Sequence, residues 1–118
     1  YYNSLLHNVK GVTLPPEASW AKNVYWMYSM LIDESFGIDR NRLMEYLQNE
    51  FGVETRNFFY PVHIQPAYAH LYKGESYPVA EELSRKGLNL PSGNMLTRKK
   101  IDYVVDAIIQ IKKKYGRQ

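Results

Sequence analysis

The residues best suited to chemistry lie close together, in Glu54–Tyr72 (ETRNFFYPVHIQPAYAHLY). The stretch holds Arg56, His63, Gln65 and His70 among Phe58, Phe59 and Tyr60, with Pro61 and Pro66 bracing it. Polar and aromatic side chains on a proline-stiffened segment are a common way to place binding groups on a rigid scaffold. Arg56 suits a carboxylate or phosphate, which a guanidinium grips through two parallel charge-assisted hydrogen bonds. Pairing with Glu54 or Glu50 is the competing use of the same charge, and exposed pairs of that kind contribute little. His63, between Val62 and Ile64, suits proton transfer or hydrogen bonding to a ligand. An internally satisfied structural histidine is the alternative.

Other chemistries find no support. His63 and His70 are seven residues apart, and neither an HxxxH nor an HExxH spacing occurs, so no metal site is expected. No serine stands in a GxSxG-like elbow. The chain has no cysteine, which excludes a thiol nucleophile, a thiolate zinc site and disulfide stapling.

Several elements must position that stretch. Tyr2, Leu5, Leu6 and Val9 recur at helical spacing, as in the last turns of a helix, with Gly11 as a stop and an extended Thr13–Pro16 after it. Asn23–Asp33 (NVYWMYSMLID) predicts an interior strand, since both alternating faces are largely apolar. Its aromatic groups, with Phe58, Phe59 and Tyr60, are expected in the core. Asp39 predicts a helix start; Leu43, Met44, Leu47 and Phe51 form its apolar face and Gly52 its stop. Val53–Phe59 alternates as a second strand. Tyr60–Tyr72 reads as an ordered loop with a short helical turn near Ala67–Leu71.

Pro78 opens a further helix, with Val79, Ala80 and Leu83 as its apolar face and Gly87 closing it. Leu88–Leu90 is a third short strand. Thr97 caps a last helix striped by Ile101, Val104, Val105, Ile108 and Ile111. The order is α-β-α-β-α-β-α, without a glycine-rich phosphate loop. It predicts an α+β fold: a small antiparallel or mixed sheet of about three short strands, layered with helices.

The 118 residues suffice for one domain, with 45% hydrophobic and 23% charged side chains. The net charge of +3 is uneven. Residues 97–118 carry seven basic groups, Arg117 among them, against Asp102 and Asp106, while the rest is slightly acidic. Lys112–Lys114 suit the negative end of a helix dipole, so the excess reads as a solvated helix terminus and no nucleic-acid partner is expected. No apolar run reaches the length of a membrane span, and no membrane association is expected. The chain opens on Tyr1 and reads as a portion of something longer.

Three segments in order carry a family resemblance: VYWMYSMLID, then GVETRNFFYPVHIQPAY, then PVAEELSRKGLNLP followed by LTRKKIDYVVDAI. They resemble the C-terminal part of the pyridoxal-phosphate-dependent sugar-nucleotide aminotransferases of the DegT/StrS group. Within the group they are nearest to the GDP-perosamine synthases. The resemblance implies the small domain of a fold-type I aminotransferase over residues 12–118. Residues 1–11 would end the interdomain helix, and the N-terminal cofactor-binding large domain would lie outside this chain. It also implies amino transfer from glutamate to a nucleoside-diphosphate 4-keto-6-deoxysugar through a lysine Schiff base with pyridoxal phosphate.

That lysine and the groups holding the cofactor belong to the missing domain, so these residues alone are expected to bind no pyridoxal phosphate and to catalyse nothing. Arg56 is implied to grip the amino donor's carboxylate, His63 and Gln65 to line the sugar pocket, and Tyr60 to add a hydroxyl or a wall. The implied partners are the large domain and a second subunit, in a cytoplasmic homodimer serving polysaccharide (O-antigen) synthesis. A stand-alone module binding a carbohydrate or a protein is the alternative.

Overall fold

The computed structural model describes residues 1–116, so Arg117, counted above in the basic terminal segment, lies outside the described residues. Helix α1 (Tyr2–Leu6) is followed by β1 (Val12–Thr13), β2 (Tyr28–Ile32), α2 (Arg40–Phe51) and β3 (Arg56–Asn57). Helix α3 (Pro78–Lys86), β4 (Gly87–Leu90) and α4 (Arg98–Tyr115) complete the order. The sheet runs β1-β2-β4-β3, and every pairing is antiparallel. The α+β expectation holds, with four strands in place of three. The fourth is the Val12–Thr13 pair, which bonds to Leu31 and Ile32 before Pro15 and Pro16 end any ladder.

Two strands are shorter than their sequence pattern. Residues 23–27 have strand-like composition but no strand partner among the described residues. The Asn23 side chain instead accepts the Tyr25 N–H at 2.8 Å, and Tyr25 takes a left-handed φ of 47°. The chain therefore joins the sheet only at Tyr28. Of Val53–Phe59, only Arg56 and Asn57 pair, opposite Asn89 and Leu88. β2 is an interior strand as expected, flanked by β1 and β4.

The long helices follow their sequence signals. Asp39 accepts the Arg42 N–H at 2.9 Å and Thr97 accepts that of Lys100 at 3.3 Å. Gly52 ends α2 in the left-handed region (φ 63°). Gly11, with φ 86°, lets the chain pass so close to Phe36 that an added Cβ would meet the Phe36 nitrogen at 2.2 Å. Leu6, Met30, Phe36, Leu43, Leu47, Leu88, Ile108 and Ile111 are fully enclosed between the sheet and α1, α2 and α4.

Helix α3 departs from expectation: Val79 is 72% exposed and Ala80 is exposed, while Ser84 is buried. Gly87 closes that helix as expected, its N–H donating to the Leu83 carbonyl, and in an extended conformation (φ −85°, ψ 141°) it is also the first residue of β4. The aromatic groups are also not all core. Tyr28 is buried and Phe58 half-buried, but Trp26, Phe59 and Tyr60 are largely exposed and Tyr25 is 38% exposed. Three-residue 3-10 turns at Glu34–Phe36 and Val62–Ile64 were outside the sequence pattern, whereas Ala69–Leu71 matches the expected turn.

Candidate functional site at the proline-braced loop

The loop begins where β3 leaves the sheet edge. Arg56 is paired with Glu54 at 2.8 Å, but both side chains are mostly in water, 78% and 69% exposed. An exposed pair of this kind is weak and leaves the guanidinium free to exchange partners. Arg56 lines an open groove of about 1160 Å³ with Trp26, Asn89, Leu90 and the first half of α4. Trp26 stacks at its edge on Phe59, with ring centres 6.3 Å apart.

A second open groove, of about 780 Å³, is lined by Asn57–Tyr60 and Ile64–Ala67. Pro61 is buried beneath it, and the 3-10 turn Val62–Ile64 reverses the chain. The Gln65 side-chain amide donates to the Tyr60 backbone carbonyl at 3.1 Å, and the Gln65 backbone carbonyl accepts the N–H groups of Tyr68 and Ala69. Asn57, Tyr60 and Gln65 are the polar side chains on this groove, and Gln65 is tied to the Tyr60 backbone. Tyr60 stands 57% exposed.

His63 points elsewhere. Only 8% of its side chain is exposed, its Nε2 lies 2.9 Å from Glu81 Oε1, and its ring packs on Tyr77 with centres 4.8 Å apart. Glu81 also accepts the Tyr77 N–H at 2.9 Å. That backbone donor, followed by His63, holds the Glu81 carboxyl below its ordinary range. His63 therefore binds the loop to α3. Of the four residues singled out, Tyr60 and Gln65 share one groove, Arg56 borders the next, and His63 sits behind them.

Sequence reasoning missed Arg40 and Asn57. An arginine at the start of a helix reads as solvated, yet Arg40 is 7% exposed, and it donates to Asn57 Oδ1 and to the Ser84 carbonyl. Only the approach of α3 and β3 buries it, and no local signal reports that approach. Burial lowers the Arg40 pKa, and the oxygens of Tyr60 and Asp39 oppose the shift.

The lysines are dispersed over the surface and the helix ends. Lys10, Lys22, Lys73, Lys99, Lys100 and Lys113 stand exposed. Lys86 is tied to Glu82 and Glu34, Lys114 to Glu50, and Lys112 to the Ser35 and Phe36 carbonyls. Among the described residues no cluster of His, Asp and Glu is placed to hold a metal, and no helix is long and apolar enough to cross a membrane.

The sequence profile of the DegT/DnrJ/EryC1/StrS aminotransferase family matches residues 1–109. The chain belongs to this family. Among relatives, the GDP-perosamine synthase of Vibrio cholerae is 38% identical over 76 residues, which is 64% of this chain and 20% of that protein. The GDP-perosamine synthase of Caulobacter vibrioides is 37% identical over 100 residues, 85% of this chain and 26% of that one. The aminotransferase-family chain thus spans about a quarter of the length of these relatives. The crystal structure of S. venezuelae DesV in complex with a ketimine intermediate shares its fold with a TM-score of 0.81, at 29% identity, over 99% of this chain and 30% of that one.

Proposed function

We propose that this chain is the C-terminal small domain of a pyridoxal-phosphate-dependent aminotransferase that moves an amino group from glutamate to a nucleoside-diphosphate 4-keto-6-deoxysugar. The reading rests chiefly on one observation: 37% identity to a GDP-perosamine synthase across 85% of the chain. On this reading residues 1–11 are the end of the interdomain helix and residues 12–118 the small domain. The cofactor and its lysine come from a large domain, and residues 1–118 alone transfer nothing. The complete enzyme works as a cytoplasmic homodimer.

The loop's part is recognition. Arg56, weakly held by Glu54, exchanges that carboxylate for the carboxylate of the amino donor. Tyr60 and Gln65 form one wall of the sugar site. His63 keeps the wall in place through Glu81 and offers the sugar only its narrow exposed edge.

The test uses the complete gene product, supplied with pyridoxal phosphate, glutamate and GDP-4-keto-6-deoxymannose. The expected result is a 4-amino sugar nucleotide by mass spectrometry, with 2-oxoglutarate in equal amount. No transfer to this or any other nucleoside-diphosphate keto-sugar would overturn the proposal.

A further inference from the structure

Arg40 enters the sheet edge from α2 as a buried cation, and none of the ion pairs among the described residues includes it. Its Nε has no protein acceptor among them either. Burying a charge on such terms is costly, and an apolar side chain of similar volume would fill the space without that penalty. What the guanidinium supplies is a rigid fork of donors. One prong donates to Asn57 Oδ1 and the other to the Ser84 carbonyl at 3.2 Å.

That contact decides which way Asn57 faces. A side-chain amide has an accepting and a donating end, and the two differ little in shape. Arg40 can only donate, so the oxygen of Asn57 must face Arg40 and the NH2 group must face away. The NH2 group lies 3.3 Å from the Tyr60 hydroxyl oxygen and donates to it. The Asn57 backbone is held in turn, its carbonyl accepting from the Asn89 amide at 3.3 Å. Asn89 also accepts the Ser29 hydroxyl, so the chain of bonds crosses β2, β4 and β3.

We propose that Arg40 is a positioning residue that sets the polarity of the groove: by claiming the oxygen of Asn57 it makes Tyr60 an acceptor toward the protein, leaving the phenolic proton to be donated to a ligand oxygen in the groove. If the amide were reversed, Tyr60 would spend that proton on Asn57 and offer the ligand only lone pairs. The ligand chemistry selected is an acceptor oxygen, such as the hydroxyl or carbonyl oxygen of a sugar. The occupant of the groove rests on the function proposed above; the direction of the bonds does not.

Asn57→Asp in the complete gene product isolates the effect. The variant keeps the shape and strengthens the tie to Arg40, but a carboxylate only accepts, so Tyr60 must donate to it. A purely structural role predicts an unchanged enzyme of equal or higher Tm. The proposal predicts that Tm is kept while KM for the keto-sugar nucleotide rises at least tenfold and kcat changes less than threefold. In a Tyr60→Phe background the same substitution adds no further loss. The Tyr60 13Cζ resonance, assigned by its disappearance in Tyr60→Phe, shifts in Asn57→Asp and shifts or doubles in Arg40→Met.

A KM within twofold of wild type together with an unmoved resonance overturns the proposal. Should the unsubstituted enzyme transfer no amino group while the resonance still moves, the functional reading fails and the assignment of Arg40 stands.

Discussion

The helix-backed sheet and the loop from Phe58 to Tyr77 are made of similar residues and use them in opposite ways. In the sheet layer, Met30, Leu43, Leu47, Leu88 and Ile108 are closed off from water and hold the layers together. In the loop, Phe59, Val62, Ile64 and Leu71 are each more than half exposed. Its order comes from Pro61, from the Gln65–Tyr60 tie and from the His63–Glu81 contact. One region folds by excluding water; the other is shaped by a few polar bonds and displays its apolar groups. Apolar side chains displayed in this way are available for contact with something else.

Core substitution should separate the two regions most. Leu47→Ala is expected to cost about 2–5 kcal/mol, because the enclosed site cannot fully collapse on the cavity. Ile64→Ala, on the exposed loop, should stay within about 0.5 kcal/mol. Urea midpoints at constant m-value measure both, and equal losses would erase the distinction. A smaller effect comes from the helix starts. Asp39→Ala removes the acceptor for the Arg42 N–H and should cost about 1 kcal/mol. The loop's 3-10 turns have no side-chain cap to lose.

The smallest effects are in pH, and their signs differ. Burial raises the Tyr2 hydroxyl pKa to about 12 from 10.0, so the sheet layer's contribution from Tyr2 is complete below pH 10 and is lost as pH rises toward 12. Tyr2→Phe should flatten that alkaline limb in a stability-versus-pH series. Glu81 is shifted the other way, below 4.5, so its tie between the loop and α3 is present above pH 4.5 and is lost as pH falls through the lowered value. Hydrogen exchange in residues 60–77 should accelerate in that acidic window and lose its pH dependence in Glu81→Gln. Acceleration spread evenly over the chain would show the loop to be part of the same cooperative unit as the sheet.

The parts readable from the sequence were those in which local chemistry and tertiary packing agree. Asp39, Gly52 and Thr97 bound their helices because caps act within one turn. Leu43, Leu47, Val104, Ile108 and Ile111 are buried because a helical stripe needs only one partner face. Strand lengths were not readable. Residues 23–27 look like strand, but pairing depends on a neighbour, and β4 first meets β2 at Tyr28. The candidate site divides in the same way. Tyr60 and Gln65 fall on one groove, while the orientation of His63 was fixed by Glu81, eighteen residues away. Arg40 was invisible because two distant segments, α3 and β3, bury it.

The junction between α3 and β4 has no spare residue: Lys86 ends the helix and Gly87 starts the strand. An added Cβ at Gly87 would lie 2.6 Å from both the Leu83 carbonyl and Phe58. β4 pairs on both sides, and its side chains alternate between sheet faces. One amino acid inserted there would swap Leu88 and Leu90 with Asn89 across the layer and shift both ladders by one step. Length variation in homologous genes should therefore collect in the spans at 14–27 and 58–77, and this junction should tolerate none.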